Sequence, residues 1–128
     1  MKHISWALIS VIALAWVPLG CGPGGKADTS KLEKSFQSAA VDKKSDINQV
    51  VAAIKSGDFA KAIPVLRKVT KAGGLTDEQK DGISSAITGM QIVVSQNPKR
   101  YSVDVYNSLS DLVDYLEGRE PLIRPPGK

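Results

Sequence analysis

The chain has 128 residues, a formal net charge of +4, one cysteine and one histidine. This length suits a single small domain with tails. The charges are interspersed, without the basic stripe and interleaved aromatics of a nucleic-acid interface, so no nucleic-acid partner is predicted. A single cysteine excludes an internal disulfide. One cysteine and one histidine are also too few for a zinc site made of Cys and His ligands.

The N-terminal segment has the three parts of a secretory signal. Lys2 gives the positive start, residues 4–17 form an uncharged and mostly apolar run, and small residues follow. A membrane-spanning helix needs about 20 apolar residues, so this run is too short to be a good one. Glycines and a proline at positions 22–25 stop any helix there. The segment is therefore expected to direct export and to be removed.

The end of this segment, Pro18-Leu19-Gly20-Cys21, resembles the lipobox of bacterial lipoproteins, whose small residue and cysteine it matches. The resemblance implies cleavage by signal peptidase II before Cys21, a diacylglyceryl group on the thiol and a fatty acid such as palmitate on the new amine. Two or three acyl chains, at about 0.8 kcal/mol per buried CH₂, hold a protein durably on a membrane. In this family an aspartate after the cysteine retains the protein at the inner membrane. Gly22 stands there instead, so the resemblance favours the periplasmic face of the outer membrane in a host that has one.

The rest of the chain divides by composition. Residues 22–25 are expected to hold no regular structure, and Lys26, Ala27 and Asp28 add no apolar face, which is typical of a flexible tether. The last ten residues carry three prolines and a glycine. The expected parts are a signal peptide over residues 1–20, a lipidated cysteine and spacer over 21–29, a helical domain over 30–118 and an extended tail over 119–128.

Two sets of apolar residues at helical spacing follow the spacer. Ser30 is the expected N-cap of the first set. No glycine or proline separates the sets, so the pattern allows one helix over residues 31–56, while the polar residues 42–46 predict a break with equal weight. The sets are Leu32, Phe36 and Ala39, followed by Ile47, Val50, Val51 and Ile54.

A further helix is expected after Gly57-Asp58, with the glycine as the stop and the aspartate as the next N-cap. Pro64 lies beyond the tolerated first turn of this helix and predicts a bend. Gly57, Asp58, Phe59 and Ala62 resemble the turn and second helix of a tetratricopeptide (TPR) repeat, in which a small residue lets two helices approach. The matching residues cover roughly half of one repeat, and stable arrays need three or more, so the resemblance implies a helical hairpin.

Two more helices are predicted towards the C-terminus. Thr76 and Gln79 form a capping box that begins the first, and Asn97-Pro98 ends it. Ser102 is expected to cap the second. Four helices, or five if residues 31–56 are broken, with short connections predict an all-α fold: a small antiparallel bundle or a short TPR-like stack.

Gly82 and Gly89 lie inside the helix that follows Thr76. Each weakens that helix by roughly 1 kcal/mol relative to alanine, but lets a neighbouring helix come close. They are expected either to tighten the packing or to line a cleft between helices.

Tyr101, Tyr106 and Tyr115 are the candidate partner-binding residues, because aromatic side chains are frequent in binding hot spots. The alternative is that these tyrosines complete the core, with their hydroxyls at its rim. Four acidic residues share one face of the last predicted helix, but a straight helix does not supply the converging oxygens of a hard-cation site. That face is interpreted as solvated, and no metal is predicted. The acidic residues are Asp104, Asp111, Asp114 and Glu117.

No catalytic set of side chains is recognisable. No histidine follows Cys21, the cysteine is assigned to lipid, and no carboxylate pair stands in an apolar setting. The expected function is therefore a non-enzymatic, cofactor-free, lipid-anchored interaction or structural protein of the bacterial cell envelope, with an envelope protein as partner. The alternative is a carrier or sensor that holds a small envelope ligand in a cleft between helices.

Overall fold

The computed structural model describes residues 27–120, and within that range the chain forms α-helices and no β-strand. The predicted all-α fold is confirmed, with five helices in these residues. The predicted signal peptide, Cys21 and most of the predicted tail lie outside them. The helices are α1 (Ser30–Ser35), α2 (Val41–Ser56), α3 (Phe59–Ala72), α4 (Asp77–Gln96) and α5 (Val103–Leu116).

The core is built from the apolar positions that recur at helical spacing. Each helix turns such a stripe inward, because removing apolar surface from water contributes about 25 cal/mol per Å². α2 packs on α3, α3 on α5, α5 on α4 and α4 on α1, so that the helices enclose one core. The largest fully buried side chains are Phe36, Phe59, Leu32, Ile47, Leu66, Ile83, Ile87, Met90, Leu109 and Leu112.

Residues 31–56 form two helices, and the break lies at residues 36–40 rather than at residues 42–46. The reason is tertiary: α1 lies mainly on α4, whereas α2 lies mainly on α3, so the chain must turn between them. The Phe36 side chain is buried where α1 ends, and its carbonyl accepts a hydrogen bond from the Ala39 N–H at 3.1 Å. The polar residues after the break belong to the first turns of α2.

The packed body includes Ala27, which lies before the predicted boundary at Ser30. Ala27 and Thr29 are both buried. Gly89 of α4 leaves room for Ala27, because a Cβ on Gly89 would lie only 3.2 Å from the Ala27 Cβ. Residues 27–29 are thus part of the body and not of the spacer. The N-cap position of α1 is Thr29 rather than Ser30, and its side chain makes no cap hydrogen bond.

α2 and α3 form the predicted antiparallel hairpin. Gly57 ends α2 in the left-handed conformation (φ 77°), which glycine adopts without steric cost. The N–H groups of Gly57 and Asp58 donate to the carbonyls of Ile54 and Ala53 at 3.0 and 2.9 Å, the hydrogen-bond pattern of a Schellman motif. The Asp58 carboxylate then accepts the Lys61 N–H at 3.3 Å, as predicted for the N-cap of α3.

The other end of the hairpin is joined by two lysines. Lys43 Nζ of α2 donates to the Gly73 carbonyl at 3.0 Å, and Lys68 Nζ of α3 pairs with Asp46 of α2 at 3.0 Å. Both contacts connect the start of α2 with the end of α3, as antiparallel helices require. α3 continues through Pro64 as a single helix. A TPR relationship beyond this hairpin stays a prediction.

α4 begins with the predicted capping box, in which the Gln79 N–H donates to Thr76 Oγ1 and the Thr76 N–H donates to Gln79 Oε1, each at 3.1 Å. α4 ends before Asn97, as expected from the proline that follows. Ser102 occupies the N-cap position of α5 but makes no side-chain cap hydrogen bond. The inner face of α5 includes Leu109, which is fully buried.

The bundle has two ends that differ in what they carry. The turn end consists of residues 57–58 and 97–102, which meet through Tyr101. The opposite end consists of residues 73–75 and 115–118, which border one surface cleft. α3 and α5 both run from the turn end to the opposite end, so these two neighbours are parallel.

Candidate functional site

Tyr101 joins the two loops of the turn end. Its ring stacks on Phe59, with centroids 4.8 Å apart and planes 9° from parallel. Its hydroxyl donates a hydrogen bond to the Gly57 carbonyl at 2.9 Å. Phe59 is itself a buried residue, so the stacking extends the core to the surface. Tyr101 therefore has the core-rim role that is the alternative interpretation of the tyrosines.

Arg100 lies beside this contact, exposed at the edge of a surface cleft of about 420 Å³ that Asp58 and Ser102 also line. Its guanidinium carbon is 5.3 Å from the centroid of the Tyr101 ring, a cation–π distance. Gly57 makes room for it, because a Cβ there would lie 2.6 Å from Arg100 Nη2. The sequence analysis did not single out Arg100. In the sequence, the only indication of a role for Arg100 is its position between the end of a helix and an aromatic residue.

The turn end carries an excess of positive charge. Residues 27–120 as a whole contain thirteen Lys or Arg residues and thirteen Asp or Glu residues, so the described body is neutral. At the turn end, Lys61, Lys99 and Arg100 are exposed and make no ion pair with any other described residue. Of the acidic residues there, Asp58 is engaged as the N-cap of α3, and Asp104 lies exposed in the first turn of α5.

Tyr106 and Tyr115 do not join Tyr101 in one surface. Nine residues separate them, which at about 100° per residue places them on opposite sides of α5. Ser110, one turn after Tyr106, accepts a hydrogen bond from α4 at 3.3 Å, so Tyr106 lies on the α4 side. Tyr115 lies on the α3 side, with Lys71 Nζ 5.5 Å from its ring centroid. Both rings are exposed, at 41% and 38%.

The acidic face of α5 is partly used within the protein. Asp114 pairs with Arg119 at 3.1 Å, and Glu117 pairs with the same guanidinium. One carboxylate oxygen of Asp111 is buried without a hydrogen-bond partner among the described residues. Across residues 27–120, no three His, Cys, Asp or Glu side chains converge on a point that could hold a metal ion.

Gly82 and Gly89 do not line a cleft. Both face the segment that leads into and forms α1. A Cβ on Gly82 would lie 3.1 Å from the Lys31 carbonyl oxygen and 3.2 Å from the Leu32 Cα. The two glycines therefore serve the close approach of α1 to α4, and a ligand cleft at this position is ruled out by the backbone that fills it.

Cys21, the predicted lipidation site, lies outside the described residues, six positions before Ala27. None of the helices in residues 27–120 combines the length and the apolar content needed to span a membrane. Comparisons of the chain with protein-family models, with curated proteins and with solved structures found no match.

Proposed function

We propose that the chain is a non-enzymatic, lipid-anchored helical protein of the bacterial cell envelope that acts by binding another envelope protein. The observation that carries the proposal is the packing of Ala27 against Gly89, only six residues after Cys21. Lipid on Cys21 would therefore hold a packed helical body close to a membrane, since six residues span at most about 20 Å.

Two carboxyls near the start of α1 are unsuited to act as general acids. Hydrogen bonds from Ser30 lower the pKa of the Asp28 carboxyl, and the Lys55 ammonium, helped by the Thr29 hydroxyl, lowers the pKa of Glu33. A carboxyl that acts as a general acid near neutral pH needs the opposite shift. No cofactor is part of the proposal.

For partner binding, Tyr106 and Tyr115 are the proposed contact residues. Tyr101 is not, because its ring and its hydroxyl already make internal contacts. Tyr106 and Tyr115 keep exposed rings on opposite sides of α5, so a partner that uses both must extend around that helix.

The test begins with fatty-acid labelling and membrane fractionation of the wild type beside Cys21→Ala. The wild type should incorporate label and sediment with membranes, and its precursor should accumulate when signal peptidase II is inhibited. Cys21→Ala should lose the label. A soluble wild type whose cysteine is bare by mass spectrometry would refute the anchor.

The partner is tested in the same cells by placing a photo-crosslinking amino acid at Tyr106 or at Tyr115. The matched control is Ser85, an exposed residue on α4. At least one tyrosine position should give a discrete crosslink to an envelope protein that Ser85 does not give. The absence of such a crosslink at both tyrosines would contradict the proposed contact residues.

A further inference from the structure

We infer that the turn end faces the membrane and that Lys61, Lys99 and Arg100 there contact the phosphates of an anionic phospholipid surface. The inference rests on the proposed lipid anchor at Cys21. It adds the orientation of the body and the residues that fix it.

The segment that joins Cys21 to the body is short. Ala27 packs at the level of Gly89, and the six residues from Cys21 to Ala27 span at most about 20 Å. At a rise of about 1.5 Å per residue, Gln96 at the turn end of α4 is roughly 10 Å from Gly89, whereas Asp77 is roughly 18 Å away in the other direction. The tether therefore reaches past the turn end with length to spare. Reaching the opposite end would use almost all of it.

The direction of the chain agrees with this orientation. Ala27 lies against Gly89, and Leu32 lies against Gly82, seven residues closer to the start of α4. α1 therefore runs antiparallel to α4, and the described chain leads away from the turn end. A body suspended by this segment presents the turn end to the surface that holds the lipid.

The two ends of the bundle also differ in charge. Lys61, Lys99 and Arg100 are exposed and free of ion pairs with other described residues, and of the nearby acids Asp58 is already engaged as a cap while Asp104 is exposed. At the opposite end, the adjoining helix turns and loops (residues 41–44, 69–80 and 113–120) carry six acidic and five basic residues. Basic residues are attracted to an anionic leaflet only within about a Debye length of 8–10 Å. The anchor keeps the body within that range, so a few charges are enough to orient it.

Arg100 supplies the specific contact. It stands at the edge of the 420 Å³ cleft, its exposed guanidinium held over the Tyr101 ring. A planar guanidinium donates two parallel N–H groups to phosphate oxygens, which makes arginine the side chain best suited to a lipid phosphate. The Tyr101 contacts with Phe59 and Gly57 hold this loop in place before any lipid arrives.

Two exposed valines allow a direct test. Val103 at the turn end is 74% exposed and Val41 at the opposite end is 82% exposed, and each is the first residue of a helix. Both tryptophans of the chain precede Cys21, so the processed protein gives no tryptophan background. Lipidated Val103→Trp and Val41→Trp are placed in vesicles that contain brominated phosphatidylglycerol. Fluorescence of Val103→Trp should be quenched at least about threefold more than that of Val41→Trp.

The charge contact is tested by adding Lys99→Gln and Arg100→Gln to Val103→Trp. Quenching should fall towards the level of Val41→Trp, with the tether and Lys61 still in place. Lys44→Gln with Lys80→Gln, which removes two charges at the opposite end, should leave quenching unchanged. Equal quenching of the two valine variants, or quenching insensitive to Lys99 and Arg100, would overturn the inference while the anchor stands. A protein that fails to bind the vesicles and has a bare Cys21 by mass would instead refute the anchor and the inference with it.

Discussion

The α2–α3 hairpin and the α1–α4 contact are both pairs of packed helices, but they achieve contact by opposite means. In the hairpin, a two-residue turn brings the helices together, and bulky side chains of both helices pack into the common core. Phe59 and Leu66 are examples, each at most 2% exposed. In the α1–α4 contact, Gly82 and Gly89 carry no side chain. Backbone atoms of the N-terminal segment occupy the space instead, together with the Ser35 hydroxyl and the Ala27 methyl group.

The difference shows where each region tolerates a change of volume. A core of large side chains loses stability when bulk is removed, because the cavity does not collapse completely. A glycine contact loses stability when bulk is added, because neighbouring backbone atoms cannot move aside as a flexible side chain does. Removing side-chain volume should therefore destabilise the hairpin, and adding side-chain volume should destabilise the α1–α4 contact.

The largest effect is expected for Phe59→Ala in the hairpin region. This substitution removes a buried ring, and with it the stacking partner of Tyr101. The free energy of unfolding should fall by about 3–5 kcal/mol. Urea unfolding of the detergent-solubilised protein measures the loss. Val41→Ala, a truncation of an exposed side chain, should change stability by less than about 0.5 kcal/mol. Similar midpoints for the two variants would show that the hairpin does not depend on this packing.

A smaller loss is expected when bulk is added to the glycine contact. Gly82→Leu should cost about 1–3 kcal/mol, since its Cβ alone would crowd the Lys31 carbonyl and the Leu32 backbone. Leucine favours helices more than glycine does, so the loss has to come from overpacking. The matched control is Ser85→Leu, which adds the same side chain at an exposed site one turn away. Amide exchange in residues 30–35 should accelerate in Gly82→Leu alone, and equal exchange in both variants would contradict the close approach.

The parts of this fold that sequence analysis predicted correctly depend on local interactions. Gly57 ends α2 in the left-handed conformation. The Asp58 carboxylate accepts a hydrogen bond from the backbone N–H three residues later, and the Thr76 hydroxyl accepts one from the Gln79 N–H within the same turn. Such contacts act over a few residues, so the residue types and their spacing contain the information. Helical periodicity likewise identified the buried stripe of each helix because it reports the face that leaves water.

The parts that sequence analysis missed depend on residues far apart in the chain. The break at residues 36–40 contains no glycine or proline and follows from two helices having different neighbours. Ala27 is buried only because Gly89 lies opposite it. The turn-end site was missed for the same reason: 44 positions separate Tyr101 from the Gly57 carbonyl it binds. Arg100 gains its role from that contact.

The smallest expected effect concerns Glu33, which connects the two regions by pairing α1 with Lys55 of α2 at 2.9 Å. The Lys55 ammonium, and after it the Thr29 hydroxyl, lowers the pKa of Glu33 below its ordinary value of 4.5. A folded-state pKa below the unfolded one stabilises the protein above the unfolded pKa, and this stabilisation is lost as the pH falls through the folded pKa. Because the pair is exposed to solvent, it is worth about 0.2–1 kcal/mol.

Glu33→Gln should therefore lower the urea midpoint slightly at pH 7, and the difference from wild type should shrink as the pH falls through the lowered folded-state pKa of Glu33. The matched control is the same substitution in a Lys55→Gln background, where the ion pair is already lost and Glu33→Gln should have a smaller effect at pH 7. High salt should also reduce the Glu33 effect, because it screens an exposed pair. A difference between Glu33→Gln and wild type that persisted unchanged below the folded-state pKa of Glu33 would mean that the glutamate acts through packing or the Thr29 hydrogen bond, and that α1 and α2 are not joined by charge.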